Sequence, residues 1–316
     1  MTNTTLIGPA RDAAIAELLV GAVDLHCHSG PAVMPRILDH HEQLVEAAAA
    51  GFRAVVTKDH YYLGTPHAII LEKLFPDLGT RMFSGIALNN ASGGINPHAV
   101  DHAVKLGAKI VWMPTLSAAN HIAKMATEAK GFPKVAGALE AVPLTVLDAN
   151  GRLTDDTLKI LDLIAAADVI MAGGHLSAHE LTILFAEGQK RGVRKMMVNH
   201  PTYVIGCTDD DIRTLISLGG KMEHSICQFI PGRAQKFEPD YALHLIEVAG
   251  VDNTIFGSDL GLQGSARPLD GYRTFVGQLL DLGVSKADIG KMIGRNGAAF
   301  LNLEPAASVS SAEMHA

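Results

Sequence analysis

The sequence predicts an α/β protein, a (β/α)8 TIM barrel that is distorted by an insertion after its fourth strand. Three observations predict this fold. Short apolar runs alternate with helical segments of ten or more residues, the pattern of parallel strands joined by crossover helices. Eight such runs occur in 316 residues, and barrels of this type use about 250 residues. Polar residues follow several of the runs, at the end where such barrels carry their functional side chains.

The predicted strands are separated by segments with helical periodicity, and a doubly wound open sheet is the alternative arrangement of the same elements. Glycines follow several of the helical segments, where a helix favours a left-handed residue just beyond its end. These glycines are Gly51, Gly107, Gly192, Gly219 and Gly250. Helices are predicted at 12–19, 41–50, 67–74 and 97–106. The predicted strands are 23–25, 54–57, 81–88, 109–113, 169–172, 195–198, 220–223 and 253–256.

Residues 116–156 are too long for a simple connection between a strand and a helix. This insertion contains an alternating run at 142–147 and turn residues at 148–151. Such an insertion is either a lid or binding element or a plain structural excursion, and both readings stay open. Residues 1–303 are predicted to form one domain, and the small, polar segment 304–316 is predicted to be a disordered tail.

The composition argues against several classes of protein. A net charge of −7 without basic clusters argues against a nucleic-acid partner, because phosphate binding needs concentrated Lys and Arg. The first ten residues do not resemble a signal peptide, and no run of about 18 apolar residues is present, so no membrane association is expected. Three cysteines without a close pair predict no disulfide framework and fit the cytoplasm. A small-molecule substrate and a homo-oligomer are expected.

Two histidines one residue apart, His26 and His28, end the first predicted strand. Side chains on a strand alternate between its faces, so both rings point the same way. Two imidazoles at one strand end can bind one metal ion. The alternative is that both are ordinary polar residues at the end of a strand.

Other polar residues end other predicted strands. Lys58 follows the second strand, His175 the fifth, His200 the sixth and Asp259 the eighth. Each has an ordinary structural reading when it is taken alone. Because the carboxyl ends of all barrel strands meet at one rim, four histidines and an aspartate there predict a metal site.

This set of residues resembles the metal-dependent amidohydrolase superfamily. The residues Phe-Gly-Ser-Asp at 256–259 and the last helical segment, 293–303, are most similar to its branch of decarboxylases and lactone hydrolases. The motif Asp-Leu-His-Cys-His-Ser-Gly-Pro at 24–31, followed by Met-Pro-Arg at 34–36, is also similar to an uncharacterised family of amidohydrolase-like proteins. The resemblance covers about residues 20–303.

The resemblance implies a set of metal ligands. His26, His28 and Asp259 would bind the first divalent ion. His175 joins them in single-metal members, whereas His175 and His200 hold a second ion in two-metal members. The fourth strand continues as Trp-Met-Pro-Thr at 112–115, without the lysine or glutamate that bridges two ions. Lys58 is the substitute candidate, either as a carboxylated bridge or, alternatively, as a salt-bridged or substrate-binding lysine.

A single ion is therefore favoured over two, with Zn²⁺ ahead of Mn²⁺, Fe²⁺ and Ni²⁺. The implied function is hydrolysis of a C–N or C–O bond in a small, carboxylated substrate such as an amide, cyclic amide or lactone. Asp259 would be the general base and acid, and His200 would stabilise the oxyanion or polarise the carbonyl. Non-oxidative decarboxylation is the first alternative, a catalytically inactive metal-binding scaffold is the second, and a phosphoesterase is the third.

Six further residues lie near the predicted strand ends and are candidates for substrate contacts. Arg36 follows the first strand across a proline-rich loop, and a guanidinium is suited to bidentate binding of a carboxylate. Its alternative role is an ion pair with an acidic residue on a neighbouring loop, and the same alternative applies to the others. These are His60, Tyr61, Asn89, His224 and Arg267.

Overall fold

A computed structural model describes residues 7–128, 135, 137 and 139–304. Apart from Glu304, the predicted disordered tail at 304–316 lies outside these described residues. Within them, no helix is both long and apolar enough to cross a membrane.

Eight parallel strands form one sheet within the described part of the chain, in the order β1 to β8. All eight predicted strands are confirmed, with ends that shift by a few residues. They are β1 Val23–Cys27, β2 Ala54–Thr57, β3 Arg81–Ala87, β4 Ile110–Trp112, β5 Ile170–Ala172, β6 Met196–Asn199, β7 Gly220–Ser225 and β8 Thr254–Gly257. The order follows the sequence, as in a (β/α)8 barrel, so the predicted TIM barrel is confirmed and the open doubly wound sheet is wrong.

The barrel closes where the segment after β8 meets β1. The backbone N–H of Asp259 donates to the carbonyl of His26 at 2.6 Å, and the N–H of His28 donates to the carbonyl of Leu260 at 2.8 Å. Below these bonds, the buried Asp24 carboxylate accepts from the backbone N–H groups of Ser258 and His26 at 2.9 and 3.0 Å. This closure places the carboxyl end of β8 directly beside the two histidines of β1.

Helices surround the barrel and close its lower end. They are α1 Gly8–Leu19, α2 His40–Ala49, α3 Thr65–Leu74, α4 Pro97–Leu106, α5 Ala119–Met125, α6 Asp155–Ala167, α7 Ala178–Lys190, α8 Asp209–Ser217, α9 Tyr241–Ala249, α10 Pro268–Asp281, α11 Lys286–Gly290 and α12 Asn296–Phe300. The four predicted helices agree with α1 to α4. Short single turns lie at Pro76–Leu78, Asn90–Ser92, Pro201–Ile205, Ile226–Gln228, Val251–Asn253 and Lys291–Arg295. Each of the five glycines predicted to end a helical segment has a positive φ, from 77° to 104°.

The interior of the barrel is filled by apolar residues up to the level of the histidines. Val23 and Leu25 belong to the inner cluster, and Ala298 and Phe300 of α12 close it from below. Cys27 belongs instead to the outer cluster, between the strands and the helices. The pairing of β1 with β2 shifts register between Asp24 and Cys27. Because of this irregularity, the alternation of side chains between the two faces of β1 shifts by one residue. Val23 and Leu25 therefore face the barrel interior, and so do His26 and His28.

The described parts of the insertion are anchored to the barrel rim. Ala118 pairs with Leu144, and Leu147 pairs with Leu153 in antiparallel fashion around the predicted turn. The N–H of Asp148 donates to the carbonyl of Arg152 across this turn at 2.7 Å. The insertion includes the first two residues of α6, and its own helix α5 packs beside the turn that follows β6.

Candidate metal centre

Three predicted ligands converge at the carboxyl end of the barrel. Nε2 of His26 lies 3.1 Å from Oδ1 of Asp259, and Nε2 of His28 lies 3.0 Å from the same oxygen. Atoms that bind one zinc ion at about 2.0–2.2 Å are roughly 3 to 3.5 Å from one another. The spacing and the donor types of this trio therefore fit one divalent cation.

The other ring nitrogen of each histidine is held by a hydrogen-bond acceptor. Nδ1 of His26 lies 3.0 Å from Oε2 of Glu223, which also accepts from the side-chain amide of Asn199 at 2.9 Å. Nδ1 of His28 donates to the backbone carbonyl of Lys58 at 2.8 Å. With a proton on each Nδ1, each Nε2 faces Asp259 and can serve as a metal ligand once it carries no proton of its own. This is the arrangement in which histidine binds a metal.

Lys58 brings a buried ammonium to the same place. Its Nζ lies 3.2 Å from Nε2 of His26 and 5.7 Å from the ring centroid of Trp112 on β4. Burial lowers the pKa of Lys58 to about 8, although the nearby carboxylates Asp259 and Glu223 act in the opposite direction. The side chain is 1% exposed, so the protein places a positive group where the two carboxylates face inward.

Five described histidines form a closed circuit of neighbouring rings at this level. The ring centroids are 5.2 Å apart for His26 and His28 and 5.2 Å apart for His28 and His60. The centroids of His60 and His175 are 6.4 Å apart, and those of His175 and His200 are 4.9 Å apart. The circuit closes between His200 and His26, whose centroids are 5.8 Å apart. Among the described residues, the set of donor atoms within 4.8 Å of one another contains the trio but neither His175 nor His200. His200 neighbours His26, whereas His175 contacts the circuit through His60 and His200, and the ligand roles of both remain predictions.

The charges of the trio depend on each other. Burial raises the pKa of the Asp259 carboxyl, but His26 and His28 outweigh it and hold that pKa well below its usual range. Burial likewise lowers the pKa of His26, yet the two flanking carboxylates, Asp259 and Glu223, raise it to about 9. His28 faces a backbone carbonyl instead of a second carboxylate, and burial lowers its pKa to about 3. Asp259 is thus an anion that is held by two imidazoles.

Comparison with known proteins assigns the chain to a family. Residues 21–223 match the model of a family described as a family of unknown function, DUF6282. The chain belongs to this family. A search of curated proteins found no match to the sequence.

Solved structures similar to this DUF6282 member cover nearly all of it. The probable dipeptidase PvdM from Pseudomonas aeruginosa has a TM-score of 0.64 and 13% identity, covering 92% of this chain and 97% of that one. An amidohydrolase from the same organism has a TM-score of 0.61 and 12% identity, covering 92% and 98%. The phosphotriesterase homology protein from Escherichia coli, solved with phosphate in its active site, has a TM-score of 0.54 and 16% identity, covering 89% and 99%. The predicted resemblance to the amidohydrolase superfamily is confirmed at the level of the fold.

The backbone is strained at two of the site residues in this DUF6282 protein. His200 has φ 31° and Asp259 has φ 48°, in the left-handed region that residues with a Cβ rarely adopt. The N–H of His200 donates to the carbonyl of Glu223 at 2.7 Å, and Asp259 is held by the bond to the His26 carbonyl described above. These bonds fix both side chains at the rim. Strain that the surrounding structure maintains in this way is typical of functional sites.

Arg36 lies at the edge of the site, close enough to His28 and Asp259 to interact with them electrostatically. Its side chain is 5% exposed, and its Nη2 lies 3.8 Å from Oδ2 of Asp59. Among the residues that the structure describes, Nε and Nη2 of Arg36 and Oδ2 of Asp59 have no hydrogen-bond partner. Tyr61 is half-buried beside them, with its ring 6.3 Å from that of His60. The guanidinium therefore has N–H donors that are available to a further hydrogen-bond acceptor.

Three of the predicted substrate contacts lie outside the barrel interior or are engaged by other parts of the chain. His224 pairs with Phe256 in the β7–β8 register, and its ring lies 5.9 Å from that of Phe256, in the layer outside the barrel. Arg267 forms an ion pair with Glu46 at 2.5 Å and donates to the backbone carbonyl of Ile37.

Asn89 is the third of these residues. Its side-chain amide donates to the carbonyl of His60 and to Oγ1 of Thr115, and its Oδ1 accepts from the N–H groups of Thr115 and Ser117. These bonds use the whole amide to connect the ends of β2, β3 and β4. His60 itself lies in the histidine circuit, with Nδ1 2.9 Å from Oγ1 of Thr115.

Two residues of the site were missed by the sequence reasoning. Glu223 precedes His224 on β7, and because side chains alternate along a strand, only one of the two can face the interior. This alternation was the signal available in the sequence. His121 lies on α5 of the insertion, and its Nδ1 is 2.8 Å from Nδ1 of His175. No local sequence pattern indicates that contact, because it joins residues 54 positions apart.

Proposed function

We propose that this protein is a metal-dependent hydrolase of the amidohydrolase type that cleaves a C–N or C–O bond in a small, carboxylated substrate. Amides, cyclic amides and lactones are the bond types that fit. The observation that carries the proposal is the trio of His26, His28 and Asp259, in which both imidazoles have Nδ1 held and Nε2 directed at one carboxylate oxygen.

The trio is proposed to hold one divalent ion, with Zn²⁺ favoured and Mn²⁺, Fe²⁺ or Ni²⁺ as alternatives. When bound, such an ion supplies a water molecule of lowered pKa, near 7 for zinc. His175 is the proposed additional ligand, because it is the next ring of the circuit beyond His200. Lys58 becomes a bridging ligand only if two ions are bound and its amine is carboxylated.

Asp259 is the proposed proton carrier. Its Oδ1 faces the two histidines, whereas Oδ2 has Sγ of Cys227 as a distant neighbour at 3.8 Å. The carboxylate is 22% exposed, the most open member of the trio. It can therefore take a proton from the attacking water and return it to the leaving group.

His200 is proposed to stabilise the developing oxyanion. Burial lowers the pKa of His200 to about 4, so the ring is neutral at pH 7. Among the described residues, its Nδ1 has no hydrogen-bond partner. A neutral ring with one unsatisfied nitrogen at the rim can donate to the substrate oxygen when that nitrogen carries the proton.

Arg36 is proposed to bind the substrate carboxylate. Its unsatisfied Nε and Nη2 are adjacent donors of one guanidinium, the geometry that matches two carboxylate oxygens. The ring of His60 stacks on that of His28, and Tyr61 lies beside His60, so both residues are proposed to contact the substrate between its carboxylate and the bond that breaks. The named dipeptidase and amidohydrolase among the similar structures support hydrolysis of a C–N bond. We further propose that the protein acts in the cytoplasm as a homo-oligomer.

The test combines metal analysis with a substrate screen in labelled water. Elemental analysis of the purified protein should find about one ion per chain. N-acyl amino acids, dipeptides, lactones and cyclic amides are then incubated with wild-type protein and with the Asp259→Asn variant in ¹⁸O-water. Incorporation of ¹⁸O by the wild type alone supports the proposal. A chain without bound metal that hydrolyses none of these classes contradicts it.

Decarboxylation is the second candidate, and one observation favours it. Trp112 occupies the end of β4, next to Lys58, where a ligand that bridges two ions is absent from the described residues. A single ion is sufficient for decarboxylation. Carbon dioxide released from aromatic or unsaturated carboxylic acids, without ¹⁸O in the product, would establish this reaction instead.

A further inference from the structure

The inserted helix α5 brings a sixth histidine ring into contact with the site. His121 stacks on His175 with ring centroids 4.7 Å apart and an interplanar angle of 30°. The two Nδ1 atoms lie 2.8 Å apart, which is hydrogen-bond distance. Both side chains are buried, with 5% and 2% exposure. The insertion therefore contacts the site through a defined polar contact as well as through packing.

Two nitrogens at this distance form a hydrogen bond only if one of them carries the proton and the other is the acceptor. A neutral imidazole has one proton, so the choice at Nδ1 also decides the state of the opposite nitrogen. If Nδ1 of His175 carries the proton, Nε2 of His175 has a free lone pair. If Nδ1 of His121 carries it, Nε2 of His175 is protonated and cannot bind a cation.

The neighbouring residues of the insertion hold the same part of the barrel. The side-chain amide of Asn120 donates to the backbone carbonyl of His175 at 3.1 Å and to that of Val204 at 3.3 Å. Lys124, one turn later, donates to the carbonyl of Tyr203 at 2.5 Å. The loops that carry His175 and His200 are thus joined by one face of α5.

We propose that His121 is a positioning residue of the metal centre: its Nδ1 accepts a hydrogen bond from the protonated Nδ1 of His175 and thereby holds His175 with its Nε2 free to bind the cation. Glu223 performs the equivalent task for His26, and the carbonyl of Lys58 performs it for His28. The insertion is therefore part of the site rather than a plain excursion. The proposal rests on the metal centre of the proposed function.

The variants for the test separate the hydrogen bond from the packing. His121→Asn places an acceptor oxygen near the position of Nδ1, whereas His121→Phe keeps a stacked ring without an acceptor. His102→Asn is the control, since His102 is exposed on α4 and its Nδ1 bonds a carbonyl of its own helix. Thermal unfolding of all four proteins verifies that each variant folds.

The first measurement uses the metal-free protein and ¹⁵N-histidine NMR. We expect His175 to carry its proton on Nδ1 in the wild type and in the Asn variant, and to lose this single tautomer in the Phe variant. A wild-type His175 that is protonated on Nε2 overturns the proposal. Because this experiment uses neither metal nor substrate, its result is independent of whether the protein is a hydrolase.

The second measurement is the affinity for Zn²⁺ alone, by competition with a chromogenic chelator. We expect the Phe variant to bind zinc about 10- to 100-fold more weakly, the usual effect of removing a partner of a metal-binding histidine. The Asn variant and the His102 control should bind nearly as the wild type does. A folded Phe variant with wild-type affinity, or an Asn variant as weak as Phe, overturns the proposal. If wild-type protein binds zinc as expected but hydrolyses nothing, only the proposed function fails.

Discussion

The two ends of this barrel differ in how their charged side chains are satisfied. At the lower end, the Asp168 carboxylate accepts from Lys195 at 2.8 Å, from Asn302 at 2.8 Å and from Arg194 at 2.9 Å. At the upper end, Arg36 and Asp59 are more deeply buried, yet within the described structure each retains polar atoms without a hydrogen-bond partner. Unsatisfied buried groups cost free energy. Their position at the rim supports the proposed binding of a substrate carboxylate by Arg36.

The largest expected difference between the two ends is in turnover, when an aspartate is replaced by asparagine at each end. Asp259→Asn removes the proposed proton carrier and should lower turnover by about 10²- to 10⁴-fold, the range for general acid–base catalysis. Asp168→Asn should leave turnover unchanged, because that carboxylate only connects structural elements at the lower end. Initial rates with the substrate found in the screen, together with circular dichroism, measure both. Equal losses in the two variants would remove the functional distinction between the ends.

Metal affinity should be the next most sensitive property. Glu223→Gln keeps an acceptor oxygen but removes the charge that faces His26, so we expect zinc to bind about 10- to 100-fold more weakly. Glu46→Gln is the matched control, since Glu46 pairs with Arg267 away from the trio. Chelator competition gives both affinities. Unchanged zinc binding in the Glu223 variant would show that this carboxylate does not support the metal centre.

Substrate binding should depend on Arg36. Arg36→Lys keeps the charge but loses the bidentate geometry, and we expect kcat/KM for a carboxylated substrate to fall about 10- to 100-fold, mainly through KM. The corresponding neutral ester or amide of the substrate should be affected much less. Arg267→Lys is the control, because its guanidinium is engaged by Glu46. A variant that loses both substrates equally would assign Arg36 to the structure of the loop.

The smallest effect is on stability at the lower end. The hydrogen bond from Lys195 is the main reason that the pKa of Asp168 lies well below its usual range, and Asn302 and Arg194 act in the same direction. A carboxyl whose pKa is lower in the folded state stabilises the fold at neutral pH, and this contribution declines as the pH falls below about 4. Asp168→Asn should therefore cost about 1 kcal/mol at pH 7.

Urea unfolding at pH 7 and in acid measures this difference between the wild type and the variant. The difference should shrink as the pH decreases, because the wild-type carboxyl becomes protonated while the amide does not titrate. A difference that is independent of pH would mean that the charge of Asp168 contributes nothing to stability.

The sequence alone determined the strands, their parallel order and the convergence of the trio. Apolar periodicity and the glycines after helices are local properties of the chain, and they sufficed to predict eight strands. Since all strands of a barrel end at one rim, the positions of His26, His28 and Asp259 after their strands already predicted that they meet. That prediction is confirmed by contacts of 3.0 and 3.1 Å.

Only the tertiary structure decided which neighbours of the trio belong to the site. The choice of Glu223 over His224 depends on the register of β7 against β8, and a shift of one residue exchanges the two faces of a strand. The contact between His121 and His175 depends on how the insertion folds back over the rim. Asn89 and Arg267 are the same residue types as many substrate contacts, but nearby backbone and an ion pair engage them. Such partners come from distant parts of the chain, so local sequence patterns do not indicate them.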